Sequence, residues 1–143
     1  MNKNYIKKDA AQDKVAVNNN KSLYVKVDIE EGDIEEEAYF TFVVKRTEKL
    51  SSAIYLVTTL LSDTEPLKWK LRKESLSLMS YITSSRNKVI DERNGVLSNL
   101  ANSIPVIISF LSVARTGGLI SEMNSNILTI EYQFLMDFMN KKN

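Results

Sequence analysis

Residues 50–84 read LSSAIYLVTTLLSDTEPLKWKLRKESLSLMSYITS, in which two apolar repeats of helical period are separated by a polar break. The first repeat comprises Leu50, Ala53, Ile54, Val57, Leu60 and Leu61, and the second comprises Leu67, Leu71, Ser75, Leu78 and Ile82. Ser62 or Asp63 can cap a helix at the break, and Pro66 suits a first helical turn. The spacing therefore predicts two consecutive helices. Their predicted bounds are about residues 38–62 and 64–84.

The same helical period continues in two further segments. A third helix is predicted at about residues 87–115, bent at Pro105 and ended by Gly117–Gly118. A fourth is predicted to begin near Ser121. Its predicted apolar face comprises Ile120, Met123, Ile127, Ile130, Phe134 and Phe138, with Leu128 and Leu135 beside it. Four amphipathic helices with short connections predict an all-α fold, an antiparallel up-and-down four-helix bundle over residues 38–143.

The first 37 residues differ from this helical part. Residues 1–20 are polar and are expected to be disordered. Residues 22–29 alternate apolar and polar side chains, which is typical of a short strand, and the acidic residues 30–37 are expected to form a turn. The alternative is a solvated acidic linker that folds only weakly. In either case residues 1–37 are predicted to be a flexible acidic segment attached to the bundle.

The formal net charge of +1 combines two opposite parts. Residues 1–37 hold six Lys and nine acidic residues, a net of −3, and the remainder holds 13 Lys and Arg and nine acidic residues, a net of +4. The chain has no His and no Cys, which excludes imidazole and thiol chemistry. No catalytic constellation, phosphate-binding glycine loop or metal-ligand motif is present. We therefore expect a protein that is not an enzyme and uses no metal or cofactor.

The sequence gives no targeting signal. The N-terminal residues lack an apolar block of signal-peptide length, and the apolar stretch 104–111 is too short to span a bilayer. The absence of Cys agrees with a reducing compartment. A cytoplasmic protein without membrane association is the expectation.

Three clusters of basic residues are candidate binding sites. The first comprises Lys68, Trp69, Lys70, Arg72 and Lys73, the second Lys45, Arg46 and Lys49, and the third Arg86, Lys88 and Arg93. Cations in the first turns of a helix oppose its dipole, but beside free helix N–H groups they favour an anion such as phosphate. Trp69 could stack on an exposed base. The alternative is a solvated surface with internal pairs such as Lys70 with Glu74, and a core or interface position for Trp69.

Two stretches resemble a known family. Residues 45–85 resemble its first helix, polar break and second helix with a basic pair such as Arg72-Lys73, and residues 112–139 resemble its last turn and final helix, where Ala-Arg precedes Gly-x-Ile-Ser. This bacterial four-helix-bundle family includes proteins encoded in intervening sequences of large-subunit ribosomal RNA genes. It also includes the accessory variability determinant (Avd) proteins of diversity-generating retroelements. The resemblance covers about residues 40–140.

The resemblance implies a homopentameric accessory protein that binds RNA or DNA and a reverse transcriptase. In that case the first two basic clusters would contact nucleic acid. The alternative is a protein-interaction or scaffold module without nucleic-acid binding, in which the acidic residues 22–37 dock a partner or a neighbouring subunit. A third hypothesis joins the two: the acidic segment covers the basic face and competes with nucleic acid.

Overall fold

The computed structural model describes residues 31–141, and every regular element in this range is helical. The elements are α1 Glu31–Thr58, α2 Pro66–Ser84, a 3-10 turn Ser85–Asn87, α3 Ile90–Ala101, α4 Ile104–Thr116 and α5 Glu122–Asn140. The predicted all-α class is confirmed for this part of the chain. The predicted disorder at 1–20 and strand at 22–29 lie outside the described residues. Within this range, the residues from Ile34 onward form one compact unit.

Helix α1 begins earlier than predicted. Residues 31–37 were expected to form an acidic turn, but α1 starts at Glu31 and includes them. The prediction was wrong because acidic side chains at a helix start are stabilised by the positive end of the helix dipole. The run of acidic residues therefore extends the helix instead of interrupting it.

The connection between α1 and α2 lies where the polar break predicted it. Pro66 opens α2, as expected. The capping residue, however, is Glu65, whose carboxylate accepts a hydrogen bond from the Leu67 backbone N–H at 2.9 Å, and neither Ser62 nor Asp63 caps the helix. Because Pro66 has no N–H, Leu67 provides the first helical N–H that needs an acceptor, and Glu65 supplies it.

The predicted third helix is divided into α3 and α4. Its predicted bend at Pro105 is a full interruption at residues 102–103. A proline ring clashes with the carbonyl four residues earlier, here that of Ala101, which is the last residue of α3. The Ser103 hydroxyl donates to the Leu100 carbonyl at 2.8 Å and so satisfies part of the freed helix end.

The turn between α4 and α5 has the predicted chemistry. Gly118 adopts a positive φ of 77°, a conformation that favours glycine. The Leu119 N–H donates to the Ala114 carbonyl at 2.8 Å across this turn. Ser121 caps α5, and its hydroxyl accepts from the Asn124 N–H at 3.0 Å. The predicted end of one helix and start of the next are both confirmed.

Side-chain contacts show that α1 runs antiparallel to α5. The Tyr39 hydroxyl donates to the carbonyls of Phe138 and Met139 at 3.0 and 3.2 Å. Further along α1, Arg46 pairs with Glu131, which lies earlier on α5. Burial, reinforced by the charge of Glu36, raises the pKa of Tyr39 to about 12, so its hydroxyl stays a donor across the neutral range.

Hydrogen bonds also join α1 to α2 and α4 to α5. Between α1 and α2, the Ser51 hydroxyl donates to the Ser75 carbonyl at 3.2 Å. Between α4 and α5, the Ser125 hydroxyl donates to the Leu111 carbonyl at 3.3 Å. These small side chains allow close approach of helix backbones at buried positions. Helix α5 contacts both α3 and α4, and α2 contacts the same two helices.

The core is formed by apolar side chains from every helix. The largest completely buried ones are Phe40, Val43, Ile54, Leu71, Ile82, Leu97, Ile104, Ile107, Leu111, Tyr132, Leu135 and Met139. The predicted buried face of α2 is confirmed at Leu71, Ser75, Leu78 and Ile82. In α1, Leu50 and Ile54 are buried, but Leu60 is almost fully exposed beyond the end of the helix.

The predicted apolar face of α5 was largely wrong. The buried residues of this helix are Ser125, Leu128, Tyr132, Leu135 and Met139. Four residues of the predicted face are exposed instead, namely Met123, Ile127, Ile130 and Phe134. Both sets have helical spacing, so periodicity alone could not decide which one faces the core. Tyr132 lies in the core with these residues, and burial raises the pKa of its hydroxyl.

Taken as one continuous segment, Ile90–Thr116 has the length and mean hydropathy of a membrane span. Core helices of soluble proteins meet the same criterion, and Ile104, Ile107 and Leu111 are completely buried in this fold. The segment is therefore weak evidence for a membrane, and cytoplasmic placement stays a prediction.

One substitution on each face of α5 tests which face is buried. We expect Leu135→Ala to lower the free energy of unfolding by about 2–5 kcal/mol because it leaves a cavity in the core. The matched variant Ile130→Ala should change it by less than about 1 kcal/mol in the monomer. Urea denaturation followed by circular dichroism measures both. Equal losses in the two variants would contradict the assignment of faces.

Candidate functional site

Lys68 lies in the first turn of α2, and its side chain contacts the connection between α1 and α2. Its side chain is only 8% exposed, and its ammonium donates to the Leu61 carbonyl at 3.0 Å and to the Asp63 carboxylate at 2.8 Å. The hydrogen bond and the charge of Lys68 hold the pKa of Asp63 below its usual range. The Lys68 ammonium thus has two internal partners, and its phosphate contact stays a prediction.

Arg72 closes the C-terminal end of α1. Its Nε donates to the Thr58 hydroxyl at 2.9 Å and its Nη2 to the Tyr55 carbonyl at 3.3 Å. The guanidinium carbon also lies 4.2 Å from the centre of the Tyr55 ring. A cation is favourable at the negative end of a helix dipole. Arg72 is unfavourable for the dipole of α2 but favourable for the dipole of α1, because the start of α2 lies beside the end of α1.

Trp69 completes this junction. Its indole N–H donates to the Asp63 carbonyl at 2.8 Å, and about half of the side chain is exposed. The ring lies near two cations, 5.2 Å from the Lys68 ammonium and 5.5 Å from the Arg72 guanidinium. The structure therefore brings Lys68, Trp69 and Arg72 together around the α1–α2 connection, where they hold it.

Lys70 and Lys73, also in the first basic cluster, point to solvent. The alternative pairing of Lys70 with Glu74 is not found among the ion pairs of residues 31–141. These two lysines are the members of the cluster that stay free for a partner.

The second basic cluster lines an open groove on α1. The groove has a volume of about 520 Å³, and its lining includes Phe42, Lys45, Arg46, Lys49 and Leu56. Arg46 pairs with Glu131 and lies 5.1 and 5.3 Å from the rings of Phe42 and Phe134. Arg46 therefore joins α1 to α5. Lys45 lies 3.9 Å from Glu48, and both it and Lys49 are exposed. No contact in the described range joins this cluster to the first.

Sequence reasoning missed the solvent-facing apolar stripe of α5, defined by Met123, Ile127, Ile130 and Phe134. The exposed fraction runs from 48% for Phe134 to 68% for Met123. The stripe was visible as a pattern, but it was assigned to the core. A polar sector of α5, with Asn126, Gln133 and Asp137, separates one side of the stripe from the core face.

Aromatic side chains join this stripe to α1. Phe134 lies 6.4 Å from Phe42 and 6.0 Å from Phe138, measured between ring centres. Beyond them a second groove of about 700 Å³ is lined by Tyr39, Phe42 and Phe138 together with Glu35, Ala38 and Lys141. An exposed apolar surface thus continues from α5 onto the first half of α1.

The opposite end of the stripe has apolar neighbours on α1 as well. Leu56 and Leu60 are 76% and 96% exposed. The register set by Arg46 and Glu131 places Leu56 opposite the first turn of α5, close to Met123 along the helix. The stripe itself runs along α5 from Met123 to Phe134.

Residues 31–141 contain no group of three or more acidic side chains placed to hold a metal ion. A comparison with models of known protein families, with curated proteins and with solved structures finds no match to this chain. The resemblance to the family that includes the Avd proteins stays a prediction from the sequence.

The internal role of Lys68 can be tested against its neighbour Lys70. We expect Lys68→Met to lower the free energy of unfolding at neutral pH by about 1–3 kcal/mol, because it removes two hydrogen bonds from a buried ammonium. The pKa of Asp63 is lower in the folded state, so its pairing is present above the unfolded pKa and is lost as pH falls through the folded one. The difference from wild type should therefore narrow in acid, as measured by urea denaturation at several pH values.

Lys70→Met is the matched control and should change stability by less than about 0.5 kcal/mol. A Lys68→Met variant as stable as this control would show that the ammonium does not hold the connection.

Proposed function

We propose that this chain is a non-enzymatic protein-interaction module that self-associates through the solvent-facing stripe of α5. In this proposal its helices form an antiparallel up-and-down four-helix bundle, with α3 and α4 as one interrupted helix. The observation that carries the proposal is the stripe itself, a second apolar face on a helix whose first face already fills the core.

The size of this surface supports self-association. Complete burial of a side chain of this kind removes roughly 60–120 Å² of apolar area from water. Each Å² removed contributes about 25 cal/mol to the free energy of association. Scaled by their exposed fractions, the four stripe residues with Leu56 and Leu60 offer roughly 240–480 Å². A standard interface takes about 800 Å² from each partner and is about 60% apolar. The exposed apolar area is thus close to what one partner contributes.

The charges around the stripe also favour a neutral, apolar contact. Glu131 is the only charged residue from Met123 to Met136, and Arg46 neutralises it within the same copy. A second copy can therefore cover the stripe without burying an unpaired charge. A two-fold pairing of α5 with its symmetry mate would place identical stripes against each other. The pentamer implied by the family resemblance would instead need two different surfaces.

The stripe is tested with the double variant Ile127→Glu/Ile130→Glu. We expect it to weaken self-association by about 100-fold or more, because two apolar contacts worth roughly 1.5–3 kcal/mol each are replaced by buried carboxylates. Light scattering over a range of concentrations should show an oligomer for the wild type and the 16.3 kDa monomer for the variant.

Gln133→Glu, an exposed position in the polar sector of the same helix, is the matched control and should leave the oligomer intact. A wild-type chain that stays monomeric at high concentration would refute the proposal. Unchanged circular dichroism of the double variant shows that the loss does not come from unfolding.

A second candidate function is binding of RNA or DNA, in its sharpest form as an Avd-like accessory protein of a reverse transcriptase. Four exposed lysines, Lys45, Lys49, Lys70 and Lys73, favour it. Lys68 and Arg72 contribute less than expected, because their charges are engaged at the α1–α2 connection. Exposed lysines attract phosphates without sequence preference, so binding of this kind falls steeply with salt.

Lys70→Glu/Lys73→Glu tests this candidate in a filter-binding titration with single-stranded RNA and DNA. We expect a uniform loss of affinity for all sequences and a shallower salt dependence, since two phosphate contacts are removed. Lys88→Glu, in the third basic cluster, should have a smaller effect. Wild-type protein without salt-dependent binding would eliminate this function and leave self-association untouched.

A further inference from the structure

The third basic cluster, at the start of α3, has a role that neither proposed function uses. The Arg93 side chain is 3% exposed, and its guanidinium carbon lies 4.4 Å from the centre of the buried Phe40 ring. The Arg86 guanidinium lies 5.0 Å from the same ring and is exposed. Two cations from one segment therefore share a single aromatic side chain.

Only one nitrogen of the Arg93 guanidinium has partners. Its Nη1 donates to the Glu37 carboxylate at 3.0 Å and to the Arg86 carbonyl at 3.4 Å. Nε and Nη2 are buried, and neither finds an acceptor within residues 31–141. A buried charged donor without an acceptor is costly, which favours a ligand that supplies one.

The two unpartnered nitrogens form one edge of the guanidinium. Nε and Nη2 direct parallel N–H bonds from this edge, and their spacing matches the two oxygens of a carboxylate. Next to Arg93, the Asn94 side-chain oxygen is also buried and has no donor within the described range. The Glu37 carboxylate at the other side of the guanidinium is 56% exposed, so the cluster lies one side chain away from solvent.

The start of α3 combines backbone N–H groups, which favour an anion, with the exposed Asp91 and Glu92 in its first turn. Val89 precedes the helix and provides no side-chain cap, so the first N–H groups of α3 have no side-chain acceptor there. Helix side chains lean toward the N-terminus, which directs Arg93 toward these groups. The buried edge and the uncapped helix start thus favour the same kind of ligand, an anion.

We propose that the Nε–Nη2 edge of Arg93 binds a carboxylate group, with Arg86 as the second cation. A planar monoanion fits better than a phosphate dianion for two reasons. Glu37 already offsets one positive charge, and the exposed Asp91 and Glu92 in the first turn of α3 repel a second negative charge. The carboxylate can belong to a small molecule or to the C-terminal end of a peptide.

The Arg93 Nε–H resonance of the ¹⁵N-labelled full-length chain reports on this edge. Titration with acetate should shift it in a saturable manner, and inorganic phosphate at the same charge concentration should bind more weakly. A short neutral peptide with a free C-terminus, compared with its amidated form, distinguishes a chain end from a small molecule. Binding by the free peptide well above that of acetate assigns the site to chain ends, and equal affinity assigns it to small carboxylates.

Arg93→Lys keeps the charge but loses the two parallel donors, and it should weaken acetate binding about tenfold or more. Because this variant has no Arg93 Nε–H, its binding is followed by the backbone N–H resonances of the first turn of α3. Arg86→Ala, at an exposed position, should weaken acetate binding several-fold without unfolding the chain. If Arg93→Lys does not fold, Arg86→Ala tests the proposal by itself. Arg115→Ala, an exposed arginine at the end of α4, is the control and should have no effect.

Three results would overturn the proposal. The Nε–H resonance could be unchanged by every carboxylate, which would mean that water satisfies this edge. Phosphate could bind more tightly than acetate, which would contradict the ligand class. Arg86→Ala could bind acetate as the wild type does, which would exclude the second cation. None of these results depends on the oligomeric state or on the exposed lysines.

Discussion

The C-terminal end of α1 is held by cations that begin the next helix. Arg72 donates to the Thr58 hydroxyl and the Tyr55 carbonyl, and Lys68 donates to the Leu61 carbonyl beyond the end of the helix. These contacts hold the start of α2 against the end of α1, and the Ser51 hydroxyl joins the two helices again at the Ser75 carbonyl. At the other end of α1, the Tyr39 hydroxyl donates to carbonyls near the end of α5.

This arrangement changes the meaning of the basic segment. A row of cations at a helix start indicates an anion site when the helix is considered alone. In the folded chain, part of that charge is used by a neighbouring helix end, and only Lys70 and Lys73 remain exposed. Our proposal of function therefore rests on the stripe of α5, where four large apolar side chains are exposed.

Most secondary structure was predictable because its signals are local. Pro66, Gly118 and Ser121 act through their own backbone conformation or hydrogen bonds, and all three hold the predicted positions. The errors arose where two local signals conflicted. Acidic residues read as a turn also favour a helix start, and Pro105 was expected to bend a helix that it interrupts. The candidate site was predictable as residue types but not as contacts.

The sequence by itself determined the all-α class, the polar break between the first two helices and the absence of imidazole and thiol chemistry, because composition and period carry that information. Only the tertiary structure decided which apolar face of α5 enters the core and which cations stay free. The two apolar faces of α5 have the same period, so only the packing of the other helices decides which one is buried. Whether a basic side chain is free depends likewise on the groups that the fold places beside it. Arg93 illustrates this: its sequence position indicates a surface cation, and the fold buries it with one edge unpartnered.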